Sequence, residues 1–248
     1  MGLISETPFG LGKALLSGSK IGRKQGMKET LLVKIQTVLF DIDGTLLDTE
    51  PFILKAYAAA YKGLKREALP SDEDLMSLTG GDLGGVYKRL VGDDWPRAVK
   101  LHRAFQLENM HLSTPFSGAE ETLSFVKSKG CRIAAVTNRS RATSAKTLEI
   151  GGLAGYIEAV VAAEDSPALK PDPAPLYKAL ELLGEPLSGD GVVFVGDTPV
   201  DISAGRAIGA ITVAATYGFH RDRVLETGPD HQIDSISKLP QILENLEK

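Results

Sequence analysis

The chain has 248 residues, 43% of them hydrophobic and 24% charged, with 28 Lys+Arg against 32 Asp+Glu and a formal charge of −4. That profile excludes collagenous, disordered and coiled-coil classes and leaves one large α/β domain or a core with a smaller lobe. No run nears the roughly 18–20 consecutive apolar residues of a membrane span, and no secretory signal opens the chain, so no membrane is expected and the setting reads as cytoplasmic. A mildly acidic chain also speaks against nucleic acid as a partner, because that needs basic surface to replace phosphate counterions. Cys131, the single cysteine, reads as a small buried hydrophobe at a strand start.

Residues 1–34 read as a flexible extension and the lead into a first strand. Within residues 1–28, Lys13, Lys20, Arg23, Lys24 and Lys28 face Glu6 alone, glycine and serine are frequent, and no amphipathic period is sustained. A basic, acid-poor opening is also what a targeting presequence looks like, and Met27 leaves an over-extended start as a third reading.

Five short apolar runs follow: Val33 to Phe40, Arg132 to Val136, Ile157 to Ala162, Val192 to Val195 and Ala210 to Ala214. Their length and β-branched content predict buried parallel strands. Helices with recognisable ends separate most of them. Ser117-Gly118-Ala119-Glu120 has the pattern of a capping box, with Gly130 as the stop. Asp172-Pro173 opens a helix that Gly184 ends, and Thr198-Pro199-Val200-Asp201 opens another that Gly209 ends. Strand alternating with helix implies βαβ crossovers and a parallel sheet covered on both faces. Residues 49–115 break the alternation. Pro51 to Leu64, Val86 to Leu90 and Ala98 to Met110 have helical spacing, which predicts a helical lobe inserted over the strand ends. The expected division is 35–48 plus 116–248 for the core and 49–115 for the insertion.

Ligands of such sheets bind beyond the carboxyl ends of the strands, and there the sequence is polar throughout. The first strand runs into Asp41-Ile42-Asp43-Gly44-Thr45, the second into Thr137-Asn138, and the fourth into Gly196-Asp197-Thr198-Pro199-Val200-Asp201, while Lys170 follows the third. Carboxylates gathered from two strands repel one another unless a cation sits among them, and hard oxygen ligands suit Mg²⁺. A lysine, a threonine hydroxyl and backbone N–H groups complement phosphoryl oxygens, and Gly44 permits close backbone approach. Together these predict phosphoryl transfer on a small phosphorylated metabolite.

Those four segments, in this order, resemble the motifs of the haloacid dehalogenase-like hydrolases over about residues 35–248. The resemblance implies a Rossmann-like sheet of strand order 5-4-1-2-3 with a mobile helical cap. It further implies Asp41 as nucleophile, forming an aspartyl-phosphate, and Asp43 as the acid and base. Thr137 and Lys170 would hold the phosphoryl oxygens, with Asn138, Thr45 and Gly44 as further phosphate contacts. Asp41, the main-chain carbonyl of Asp43, Asp197 and Asp201 would hold Mg²⁺. Dehalogenating members lack the second aspartate, so Asp43 argues against dehalogenation.

Within the family, Gly196 to Phe219 with Gly228-Pro229-Asp230-His231 and Ile233-Asp234-Ser235 looks most like phosphoglycolate phosphatases, which implies 2-phosphoglycolate as substrate. Pyrophosphate hydrolysis is an alternative. A second is a mutase resembling β-phosphoglucomutase, although Ile53 and Leu83 stand where those relatives carry His and Arg. A non-catalytic scaffold has no use for clustered carboxylates. Thr79 to Gly85 reads equally as a plain turn or as a loop reaching the site on closure. His102, His111 and Trp95 read as surface or packing residues. The sequence leaves the oligomeric state open.

Overall fold

The computed structural model describes residues 34–248; the expected extension and the Val33 start of the first strand lie outside the described residues. The chain runs from β1 (Thr37–Phe40) and β2 (Leu47–Asp48) through α1 (Glu50–Gly63), α2 (Asp72–Ser77), α3 (Leu83–Val91) and α4 (Trp95–Glu108) to β3 (Thr114–Pro115). It continues through α5 (Ala119–Ser128), β4 (Arg132–Val136), α6 (Arg141–Ile150), β5 (Ala159–Val161) and α7 (Ala174–Leu183). β6 (Val192–Gly196), α8 (Pro199–Ile208), β7 (Ile211–Ala215), β8 (His231–Ile233) and α9 (Leu239–Leu246) complete it.

The main sheet has the order β5-β4-β1-β6-β7-β8, and every pair in it is parallel. This is the expected 5-4-1-2-3 arrangement with one correction: β8 adds a sixth strand outside β7. Three residues are too few for a legible period. What places them is Asp230, whose carboxylate accepts from the backbone N–H and the hydroxyl of Thr212 at 2.8 and 2.7 Å.

β1 lies at the centre and is buried on both faces. Val38 and Phe40 pack on one side with Leu123 of α5, Leu148 of α6 and Leu243 of α9, whereas Leu39 packs on the other with Leu176 of α7 and Ala204 of α8. Alternate side chains thus enter two separate apolar layers, the condition that makes a parallel strand read as a continuous hydrophobic run. The backbone that leaves β1 is therefore held from both sides just before Asp41.

Helix starts follow local chemistry. At α8, Asp201 accepts from both the backbone N–H and the hydroxyl of Thr198, and Pro199 fills the first turn. The expected box at Ser117 does not form. Gly118, at φ 86°, takes the N-cap position of α5 and makes no side-chain cap. At α7 the start moves one residue on, with Asp172 accepting from Ala174 N–H at 2.8 Å.

Between β2 and β3 lie four helices with their own apolar centre, built on Tyr57, Tyr61, Leu75, Val86, Tyr87 and Ala98. α2 was not foreseen, because its six residues carry too short a pattern; Ser71 caps it. β2 and β3 form an antiparallel ribbon pairing Leu47 with Pro115 and Asp48 with Thr114. The chain leaves the sheet and returns to it side by side, so α1–α4 sit together over the carboxyl ends of the strands.

Candidate active site

Lys170 is the hub of the strand-end cluster. Its Nζ lies 2.6 Å from Asp41 Oδ1 and 2.7 Å from Asp201 Oδ1, and donates to the carbonyl of Val136 at 2.7 Å. All three side chains are buried. Burial alone would lower the lysine's pKa, but Asp201 and Asp41 together hold it above the ordinary range. Burial also pushes Asp41 up to about 7 against the pull of Lys170, with Asp201 and Asp43 adding to the rise. Asp197 is raised by burial first, then by Asp41 and Asp201. One cation among three carboxylates leaves the cluster short of positive charge.

Asp41, Asp197 and Asp201 each present a carboxylate oxygen within 4.8 Å of the others. Hard oxygen donors, desolvated and undercompensated, fit a divalent cation. Asp197 is oriented by Phe219 N–H at 2.7 Å and by the Thr45 hydroxyl at 3.5 Å. Gly44 has φ +81°, and a Cβ there would lie 2.2 Å from Asp197 Oδ2. The approach of Asp197 alone is enough to require glycine there.

The structure sets Asp43 apart. Its carboxylate is not in the three-aspartate cluster; it accepts from Thr49 Oγ1 at 2.8 Å and lies 2.9 Å from a guanidinium nitrogen of Arg139. Thr137 Oγ1 is 3.5 Å from the other Asp43 oxygen and accepts from Arg139 N–H. The Arg139 side chain, 8% exposed, packs over the Phe52 ring and donates to Thr147. Sequence reasoning missed Arg139, although its position directly after Thr137-Asn138 was a usable signal.

Thr45 and Asn138, expected at the phosphate, are engaged elsewhere. Thr45 turns to Asp197. The Asn138 amide donates to Gly80 O at 2.7 Å and Lys170 O at 2.9 Å, and its carbonyl accepts from Lys170 N–H at 2.9 Å. It therefore joins the loop carrying the lysine to the loop between α2 and α3. That second loop also meets the core at His220, whose Nε2 lies 3.3 Å from both the hydroxyl and the carbonyl of Thr79. Gly80, at φ +87°, passes within 3.0 Å of Thr198 when given a Cβ. Of the two readings of this glycine-rich stretch, the structure has the loop against the site.

Above the cluster opens a cleft with Asp41, Asp43, Thr137, Arg139 and Lys170 on its core side. Its other side comes from α1–α4 and includes Ile53, Tyr57, Leu83, Val86, His102 and Gln106. The wall is thus apolar at Ile53 and Leu83. His111 and Trp95 are not among the lining residues.

A parallel sheet with aspartates at two adjacent strand ends, a buried lysine among them and a helical insertion above is the arrangement of a class of hydrolases. The family model described as haloacid dehalogenase-like hydrolase matches residues 38–215, and the chain belongs to that family. It is 31% identical to a phosphoglycolate phosphatase of Neisseria meningitidis over 86% of this chain and 94% of that one. It is 32% identical to a phosphoglycolate phosphatase of Aquifex aeolicus (85% and 98%), and 30% identical to the pyrophosphatase PpaX of Halalkalibacterium halodurans (85% and 98%). A haloacid dehalogenase-like hydrolase structure from Streptococcus pneumoniae superposes with a TM-score of 0.76 at 20% identity, covering 84% of this chain and 98% of that one. Among the described residues no helix is long and apolar enough to cross a membrane.

Proposed function

We propose that this phosphatase hydrolyses a small phosphate monoester, with 2-phosphoglycolate the first candidate, through a phosphoryl group carried on Asp41. The observation that carries the reading is the placement of Asp41: a buried carboxylate at the end of the central strand, 2.6 Å from Lys170 Nζ and two residues before a second carboxylate that stands outside the cation cluster. Asp41 attacks phosphorus as the bond to the ester oxygen breaks, and Asp43 gives that oxygen its proton. Water, deprotonated by Asp43, then attacks phosphorus, which releases inorganic phosphate and restores Asp41. Splitting one hard displacement into two is the gain of covalent catalysis.

Lys170 and Thr137 hold the transferring oxygens, where the lysine offsets developing negative charge. Arg139 and Thr49 keep the Asp43 carboxylate directed away from the three-aspartate cluster, on the cleft side where the ester oxygen would lie. Asp41, Asp197 and Asp201, with the main-chain carbonyl of Asp43, would hold Mg²⁺, which supplies charge neutralisation for a phosphoryl oxygen. The oxygen-only donor set and its shortage of positive charge support that ion. Substrate identity rests on the phosphoglycolate phosphatase relatives; the 30% identity to pyrophosphatases makes pyrophosphate the second candidate.

Purified protein with Mg²⁺, offered 2-phosphoglycolate, pyrophosphate, β-glucose 1-phosphate and sugar 6-phosphates, should release inorganic phosphate, fastest from 2-phosphoglycolate. Interconversion of glucose phosphates without release would replace hydrolysis by a mutase activity.

A further inference from the structure

On α4, His102 and Gln106 stand one helical turn apart on the same face, and both line the catalytic cleft. They are 2% and 5% exposed. Buried polar groups are ordinarily satisfied, and the two differ in how far this holds. His102 Nδ1 lies 2.9 Å from the Tyr87 hydroxyl. Tyr87 is buried, and among the described residues its hydroxyl has no other hydrogen bond. A phenol proton without another acceptor goes to Nδ1, which leaves the ring proton on Nε2. Burial keeps this imidazole neutral, lowering its pKa to about 3, and Tyr57 and Tyr87 clamp it edge-on with ring centroids 5.0 and 5.7 Å away. The Gln106 amide, among the described residues, makes no hydrogen bond to protein. An N–H donor and an unpartnered carboxamide therefore border the cleft together, in a helix otherwise packed on apolar neighbours.

The charge around them selects the ligand. On the core side Arg139 and Lys170 are already paired with Asp43, Asp41 and Asp201, so the charge left to attract an anion is that of Arg103 on α4, which forms no ion pair among the described residues. The remaining wall at Ile53, Leu83 and Val86 is apolar. A planar acceptor with two oxygens matches two neighbouring donors, as a carboxylate does.

We propose that His102 and Gln106 form the subsite for a carboxylate on the substrate's leaving group, which makes the substrate class phosphorylated hydroxy acids. His102 donates from Nε2 and Gln106 from its amide, while Asp41 takes the phosphoryl end. This rests on the phosphatase reading above and deepens it.

The test compares 2-phosphoglycolate with ethyl phosphate, which lacks only the carboxylate function, and uses p-nitrophenyl phosphate as a general substrate, all with Mg²⁺. Wild-type enzyme should favour 2-phosphoglycolate over ethyl phosphate in kcat/KM by about 10- to 100-fold, the range of one or two hydrogen bonds to a charged group. In Gln106→Met, of similar volume, that ratio should collapse through a rise in KM for 2-phosphoglycolate. Gln106→Glu should lower it further by placing a negative charge against the carboxylate. Proportional losses on both esters overturn the subsite in favour of a structural role. A wild-type enzyme without preference overturns it too and needs no variant, while the phosphatase reading survives. Absence of phosphate release from every ester, p-nitrophenyl phosphate included, removes the phosphatase reading and this proposal with it.

Discussion

On the core side of the cleft, the polar groups are charged and held in pairs: Lys170 against Asp41 and Asp201, Arg139 against Asp43. On the side built by α1–α4 the same space is bounded by Ile53, Tyr57, Leu83 and Val86, with neutral polarity at His102 and Gln106 and one charge, unpaired among the described residues, at Arg103. The first wall costs stability, since buried carboxylates are desolvated and mutually repelled. The second resembles an ordinary apolar interior that was left open. Strain is thus confined to the strand ends, where a bound cation would relieve it. Discrimination between leaving groups falls to a surface that is cheap to vary.

The contrast predicts where substitutions bite. Asp41→Asn should lower kcat by about 10⁴-fold or more while far-UV circular dichroism stays native, because a nucleophile acts only in the chemical step. Lys170→Met leaves the three buried carboxylates of the cluster without a cation, and urea denaturation of the metal-free protein should register a loss of about 3–5 kcal/mol. Added Mg²⁺ should recover part of it.

Metal removal separates the walls by pH. Asp41 titrates near 7 in the folded chain against an ordinary 3.8, and Asp197 is raised as well. A folded pKa above the unfolded one means that protonation stabilises the metal-free fold fully below about pH 4 and that this contribution is lost as pH rises through about 7. The metal-free melting temperature should fall between about pH 5.5 and about pH 8, and Mg²⁺ should raise it more at the higher value. An equal Mg²⁺ effect at both would contradict the charge balance assigned to the cluster. A smaller effect belongs to the seam between the walls. Asn138→Ala should cost about 1–3 kcal/mol by leaving backbone groups at Gly80 and Lys170 unpaired, measurable by thermal melting.

The two walls were unequally legible in the sequence. Asp41, Asp43, Thr137, Asp197 and Asp201 come at or shortly after a strand end, so an apolar run giving way to polar residues marked them before any contact was known, whereas Lys170 stands farther from its strand and was marked by its place in the motif order. Their partners were not marked in that way. That Thr45 turns to Asp197 and Asn138 to the Gly80 carbonyl depends on loops more than 50 positions apart in the chain, |i−j| being 152 and 58. β8 escaped because its three residues carry no period and are fixed by Asp230. Ser117 misled because a left-handed glycine outcompeted its side chain at the helix start. His102 reads in the sequence as a surface or packing residue and Gln106 carries no mark there; only the tertiary fold opens a cleft beside them.

The central claim, that Asp41 carries the phosphoryl group, is tested most directly by covalent trapping. Wild-type enzyme mixed with Mg²⁺ and ³²P-labelled 2-phosphoglycolate, then quenched in acid within a single turnover, should yield a labelled peptide containing Asp41, and Asp41→Asn should yield none. Rapid phosphate release without label on that peptide, or release by Asp41→Asn at a rate close to wild type, would contradict the account.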